Sequence, residues 1–185
     1  MLVSLRWLSE LLPSLSASGS EVARRLTHAG LEVEAVVEVG QGLEVVVVAE
    51  VRKIEAHPTK SGLRLVTVDR GSGEQRVVCG ASNVPEPGGR VLLAPLGAVI
   101  PGIGPLTARS IGGVESQGML VSEEELGLAD SSDGILILAA DQGAPGTPLF
   151  EVLPEARDTI FHIGVTPNRP DALGHVGVAR DVAAL

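Results

Sequence analysis

The chain has 185 residues, with 14 basic and 23 acidic side chains and a net charge of −9. That balance excludes a strongly basic, autonomous nucleic-acid binder. A lone cysteine, Cys79, excludes a disulfide framework, and four histidines beside it make no zinc signature. No apolar run approaches the ~20 residues of a membrane helix. Met1–Trp7 lacks the basic start and apolar stretch of a signal peptide, so the expectation is a soluble cytoplasmic protein. A chain of this size buries roughly 70% of its unfolded surface, enough for a core without staples. Trp7, Phe150 and Phe161 are its only aromatic residues, and valine, leucine, alanine and glycine dominate. That composition suits a small-residue, β-rich core with many turns.

In residues 1–39, Ser4 is placed to cap a short helix carrying Leu5, Trp7, Leu8, Leu11 and Leu12. Ser20 is expected to cap a second helix, Glu21 to Ala29, with its acid early and Arg24 and Arg25 late, as the helix dipole prefers. Gly30 is its stop. Residues 31–39 alternate apolar and polar, the pattern of a strand with one wet face.

From residue 45 to 138 short apolar segments recur: 45–54, 64–68, 75–78, 90–94 and 135–138. Glycine- and proline-rich turns separate them. Such spacing points to a small barrel or sandwich. Gly112–Gly127 is the least periodic part. Its glycines break the first half, and Ser122-x-x-Glu125 with Gly127 forms a capping box and stop around one helical turn. Residues 158–165 read as a strand and 177–185 as a helix. The turn 166–171 is rigid, with two prolines around Asn168, Arg169 and Asp171. The last helix stops without a cap, so the chain is expected to be cut from something longer. Each flank is too small to fold by itself. The economical architecture is therefore α+β with a β-barrel: residues 40–150 form a barrel inserted into a discontinuous small helical α+β domain made of 1–39 and 151–185.

Arg52, Lys53, His57, Lys60 and Arg64 are the one local concentration of positive charge. On a strand–loop–strand they are placed to meet phosphates along a barrel rim, or to form an ordinary solvated surface. Residues 40–150 hold eight basic and thirteen acidic side chains and, up to residue 149, no aromatic platform for base stacking. Any RNA contact there is expected to be weak and salt-sensitive. Asn83 and Ser116 are further candidates from the loops, against a reading as turn residues. Gly112, Gly118 and Ser122 are expected to shape their loop. Asn168, Arg169 and Asp171 are expected to organise the domain, with Arg169 and Asp171 as a hydrogen-bonded pair. No catalytic constellation and no metal-ligand cluster stands out. Cys79 and Met119 read as core residues.

The middle segment resembles the tRNA-binding domain of the endothelial-monocyte-activating-polypeptide type, an oligonucleotide-binding (OB) barrel. The matching residues are His57-Pro58 with Leu63, Val68-Asp69, Val77–Ala81 with Asn83, Ala94–Gly97, and above all Ile111–Met119 with Ser122 and Glu125–Gly127. The flanks, in Met1–Leu8, Val165–His175 and Gly177–Ala183, resemble the amino-terminal region of the bacterial phenylalanyl-tRNA synthetase β subunit. The resemblance implies an OB barrel that binds tRNA(Phe), and a partner α subunit in an α2β2 assembly. It also implies ATP and Mg2+ for aminoacylation on the α subunit, with no catalytic residue in this chain. Two rival readings stay open: a free-standing tRNA-binding module, and an assembly scaffold whose barrel no longer binds RNA.

Overall fold

In the computed structural model, which describes residues Met1–Leu185, serines start both early helices. Strand β1 (Leu2–Ser4) runs directly into α1 (Leu5–Leu11), and the Ser4 hydroxyl accepts from the Trp7 N–H at 3.1 Å. Helix α2 spans Gly19–His28, and its cap is Ser18 rather than Ser20. Ser18 accepts from the Glu21 N–H at 3.3 Å, so the serine three residues before the glutamate takes the cap, in the capping-box spacing. Gly30, at φ +95, ends the helix as Leu31 N–H returns to the Leu26 carbonyl at 2.9 Å. Strand β2 covers Glu32–Val39.

The middle of the chain supplies β3 (Val47–Ala56), β4 (Arg64–Asp69), β5 (Glu74–Cys79), β6 (Arg90–Pro95), β7 (Val99–Ile100), β8 (Gly104–Pro105), β9 (Arg109–Ile111), β10 (Val114–Ser116), β11 (Gly118–Leu120), β12 (Ile137–Leu138) and the single turn α3 (Leu149–Val152). Strand β13 (Asp158–Gly164) and helix α4 (His175–Ala184) follow. Residues 123–127 form a hydrogen-bonded turn in place of the expected one-turn helix.

The chain divides into two compact units, Met1–Val39 with Arg157–Leu185, and Gly40–Ala156. In the first, β13 lies between β1 and β2, antiparallel to both. Phe161 and Ile163 of β13 and Val3 of β1 join Leu8, Val22, Leu26 and Val178 from the three helices in one buried cluster. Asp158 links strand to helix: it accepts from the Ser4 hydroxyl at 2.5 Å and the Arg6 N–H at 3.1 Å. Arg169 bonds both Asp171 and, at 2.7 Å, Asp181 of α4. The two carboxylates raise the Arg169 pKa, and Arg169 in turn holds the Asp171 carboxyl below its usual range. Asn168 stands exposed beside this network and takes no part in it.

In the second unit the strand order β11-β6-β3-β4-β5 is an antiparallel meander plus a returning strand, and β11 comes back toward β5. The result is a nearly closed, five-stranded barrel of the OB type. Strand β6 and the first half of β3 are buried on both faces. Val91 and Leu93 point into the barrel with Val51, Val66 and Val77. Leu92 and Ala94 point the other way, into a layer made with Leu43, Val121, Leu126, Leu138, Leu149 and Ala156. Residues 146–149 pair along the start of β3, through Gly146 N–H to Val48 O at 2.8 Å and Leu149 N–H to Val46 O at 2.9 Å. This pairing, with Leu149 and Ala156 in the outer layer, carries the unit to 156 rather than 150. Strands β4 and β5 differ, since their outward positions Thr67, Asp69, Glu74 and Arg76 are polar and uncovered.

Glu21 bonds Arg24 and Arg25, which lower its carboxyl from 4.5 to about 2. A depressed carboxyl stabilises the fold above its unfolded pKa and loses that effect as pH falls. Glu21→Gln is expected to lower the melting temperature at neutral pH. The deficit should shrink as pH falls from 4.5 toward 2, as followed by circular dichroism.

Candidate nucleic-acid interface

The basic run Arg52–Arg64 separates into three environments. A β-bulge sits between Val51 and Lys53, where the register to β4 slips by one residue. The extra residue is Arg52, so Arg52 and Lys53 both fall on the outer side. Arg52 bonds Glu50 and Asp69, and Arg90 bonds the same Glu50. The hydrogen bond to Asp69 raises the Arg52 pKa, and the reciprocal bond lowers that of Asp69. Lys53 pairs with Glu55 at 2.9 Å. These two cations are locally neutralised.

His57 is 7% exposed. Its Nδ1 accepts the backbone N–H groups of Thr59 at 3.2 Å and Lys60 at 3.1 Å. The proton therefore sits on Nε2, which donates to the Ile111 carbonyl at 2.9 Å. Thr59 adds a bond from its hydroxyl to the Gly112 carbonyl at 2.7 Å. Gly112 is required at this junction: its φ is +57, and a Cβ there would stand 2.7 Å from both His57 Cε1 and Thr59 Oγ1. His57 thus pins one loop to the turn of the β9–β10 hairpin, and Lys60 is left exposed beside that turn.

Ser116 is buried and bridges the barrel seam. Its hydroxyl accepts from the Val78 N–H at 3.0 Å and donates to the Gly118 carbonyl at 2.9 Å. Gln117 N–H bonds the Arg76 carbonyl at 3.1 Å. A Cβ at Gly118 would meet the Ala94 carbonyl at 2.6 Å, so only glycine lets β11 cross β6 this closely. Ser122 and Glu125 cap one another: Glu125 accepts from the Ser122 N–H and hydroxyl at 2.7 and 2.9 Å, and Glu125 N–H returns to the hydroxyl at 3.2 Å. Gly127 at φ +72 closes the turn, with Leu128 N–H on the Glu123 carbonyl at 2.8 Å.

Asn83 imitates a strand neighbour. Its side-chain oxygen accepts from Ile135 N–H at 3.0 Å, and its amide donates to Ile135 C=O at 2.8 Å. Gly134 lies so close that any Cβ would strike the Asn83 side chain.

Five cations of the unit make no ion pair: Lys60, Arg64, Arg70, Arg76 and Arg109. Sequence reading passed over Arg76 and Arg109 because no basic neighbours flag them. Topology groups all five around β4, β5 and the β9–β10 hairpin, with Arg70 in the β4–β5 turn. Arg64 is the register partner of Cys79, Arg76 that of Thr67, and Arg109 that of Ser116. Arg76 shares the outward polar face of Thr67, whereas Arg64 lies with Cys79 on the face of Val66 and Val77, at the strand ends. Burial pushes the Cys79 thiol up, which suits a core residue rather than a nucleophile. No three His, Cys, Asp or Glu side chains converge to hold a metal, and no helix is long and apolar enough to cross a membrane.

Removing the Asn83 amide strands the N–H and C=O of Ile135, which is 7% exposed. Asn83→Ala is expected to cost about 2 kcal/mol, read from urea unfolding.

The family described as "Putative tRNA binding domain" matches residues 46–148. Over its full length the chain is 46% identical to the phenylalanine–tRNA ligase β subunit of Syntrophotalea carbinolica and 48% identical to that of Anaeromyxobacter dehalogenans. It spans 22% and 23% of those proteins, less than a quarter of their length. Among solved structures, a MetRS-related protein from Pyrococcus horikoshii aligns with 56% of this chain and 87% of its own, at 22% identity and a TM-score of 0.41. The C-terminal domain of Plasmodium vivax p43 aligns with 58% of this chain and 61% of its own, at 19% identity and a TM-score of 0.40. With more than half of its residues matched, and those residues forming the barrel, the chain belongs to the putative tRNA-binding domain family.

Proposed function

We propose that this chain is the amino-terminal, non-catalytic region of a phenylalanine–tRNA ligase β subunit, and that its barrel contacts tRNA(Phe). Full-length similarity to the β subunits supports the first part. The observation that carries the second is a group of cations without ion pairs, Lys60, Arg64, Arg76 and Arg109, gathered around β4, β5 and the β9–β10 hairpin. The barrel is the inserted domain of a split α+β frame, residues 40–156 within 1–39 and 157–185. In the whole cytoplasmic enzyme, ATP, Mg2+ and amino-acid activation belong to the α subunit of an α2β2 assembly. No chemical step is assigned to this chain. Its part is to bind and orient tRNA.

Arg52, Lys53, His57, Asn83 and Ser116 act within this proposal by shaping the barrel. Gly112, Gly118 and Ser122 do the same, and Asn168, Arg169 and Asp171 serve the flanking frame. Phosphates are met by Lys60, Arg64, Arg76 and Arg109. With no aromatic platform and a net negative barrel, the contact is electrostatic and weak, and it adds to tRNA sites elsewhere in the enzyme.

Fluorescence anisotropy of labelled tRNA(Phe) against the 185-residue chain, between 50 and 200 mM salt, tests this. The fourfold Lys60, Arg64, Arg76, Arg109→Gln variant should bind more weakly and lose about 0.7–0.9 of log–log salt slope per phosphate contact removed. Unchanged affinity and slope would favour the assembly-scaffold reading.

A further inference from the structure

Beyond the phosphate-facing cations, the barrel holds a cavity of about 570 Å³, within the range of small-ligand sites. It opens beside the closing seam, where β5 ends and β11 begins. Its walls combine two chemistries. Ile103 and Met119 give an apolar surface, and Ile103 is 44% exposed. Glu124 and Glu125 give two carboxylates, and no Lys, Arg or His lines it. The carboxylates are differently held. Glu125 is fixed by Ser122 through one oxygen, whereas the Glu124 carboxylate is exposed and has no partner. A phosphate is rejected by such a lining. A flat, neutral ring with adjacent N–H donors fits it.

Among the four bases, guanine alone presents two neighbouring N–H donors, N1–H and the 2-amino group, on its Watson–Crick edge. Adenine and cytosine place a donor beside an acceptor, and uracil places its one donor between acceptors. A carboxylate takes both guanine donors at once. The Met119 thioether meets an aromatic ring favourably and takes the place of the missing aromatic platform. Arg64 stands across from Cys79, a wall residue of the cavity, and its cation is placed for the phosphate of a nucleotide whose base lies inside.

We propose that this cavity is a guanine nucleotide subsite: the base lies against Met119 and Ile103 with Glu124 on its Watson–Crick edge, and Arg64 meets the phosphate. The subsite rests on the reading that the barrel binds RNA, and it adds base selection to a surface otherwise blind to sequence.

Anisotropy titrations of the 185-residue chain with labelled uridine hexanucleotides test it, with one central position changed to guanosine, adenosine or inosine. The guanosine oligonucleotide should bind about tenfold tighter than the adenosine and uridine ones. Inosine, which lacks the 2-amino group, should fall between. Glu124→Gln should bring the guanosine-to-uridine ratio to about one. Arg64→Gln should weaken all four while leaving the ratio in place. Competition by GMP at millimolar concentration marks a site for the free nucleotide as well. Competition only by guanosine-containing RNA marks a subsite of a longer strand. Equal binding of all four oligonucleotides, or a ratio untouched by Glu124→Gln, overturns the subsite and leaves the RNA-binding reading intact. Failure of tRNA and every oligonucleotide to bind overturns both.

Discussion

The barrel depends on how its last seam is closed. Strands β5 and β11 are the two ends of one sheet, and an open sheet would leave both as exposed edges. Only one backbone bond, Gln117 to Arg76, joins them directly. The Ser116 hydroxyl supplies the next link by standing in for a carbonyl opposite Val78 N–H. Two other features follow from this closure. The interior valines of β3, β4 and β5 are enclosed with Leu93, Leu120 and Ile135, without any aromatic side chain. The cavity also opens just past the seam, since Val78–Ala81 on one side and Met119–Leu120 on the other diverge there.

Charge on this barrel is arranged by topology rather than by density along the chain. Arg52 and Lys53 are adjacent in sequence, and acidic neighbours neutralise both. Lys60, Arg64, Arg76 and Arg109 are spread over fifty residues, and the meander with its extra hairpin gathers them around β4, β5 and the β9–β10 turn. A protein with net charge −9 can therefore still offer a local cationic surface.

What could be read from the sequence was what is local. The capping box at Ser122–Glu125 and the glycine stops at Gly30 and Gly127 need only three to five residues of context, and the alternation that gives β4 and β5 needs little more. Ser18 in place of Ser20 was a choice between the two serines that flank Gly19, decided by the spacing to Glu21. The candidate interface was less legible, because its residues owe their roles to distant partners. His57 meets Ile111 54 positions away, and Asn83 meets Ile135 52 positions away. Neither periodicity nor propensity carries such pairings. Arg52 faces Asp69 only because a bulge turns two successive side chains outward. Arg76 and Arg109 have no basic neighbours to mark them.

The uneven distribution of aromatic residues has an optical consequence. Trp7 is the only tryptophan, the chain has no tyrosine, and Trp7 lies in the flanking unit, half-exposed, with its ring 4.8 Å from that of His175. The barrel unit contains neither chromophore. Intrinsic fluorescence therefore reports on the helical frame alone, while backbone circular dichroism in the far ultraviolet sums both units. The two signals divide the unfolding of this chain into its parts without a label or a mutation.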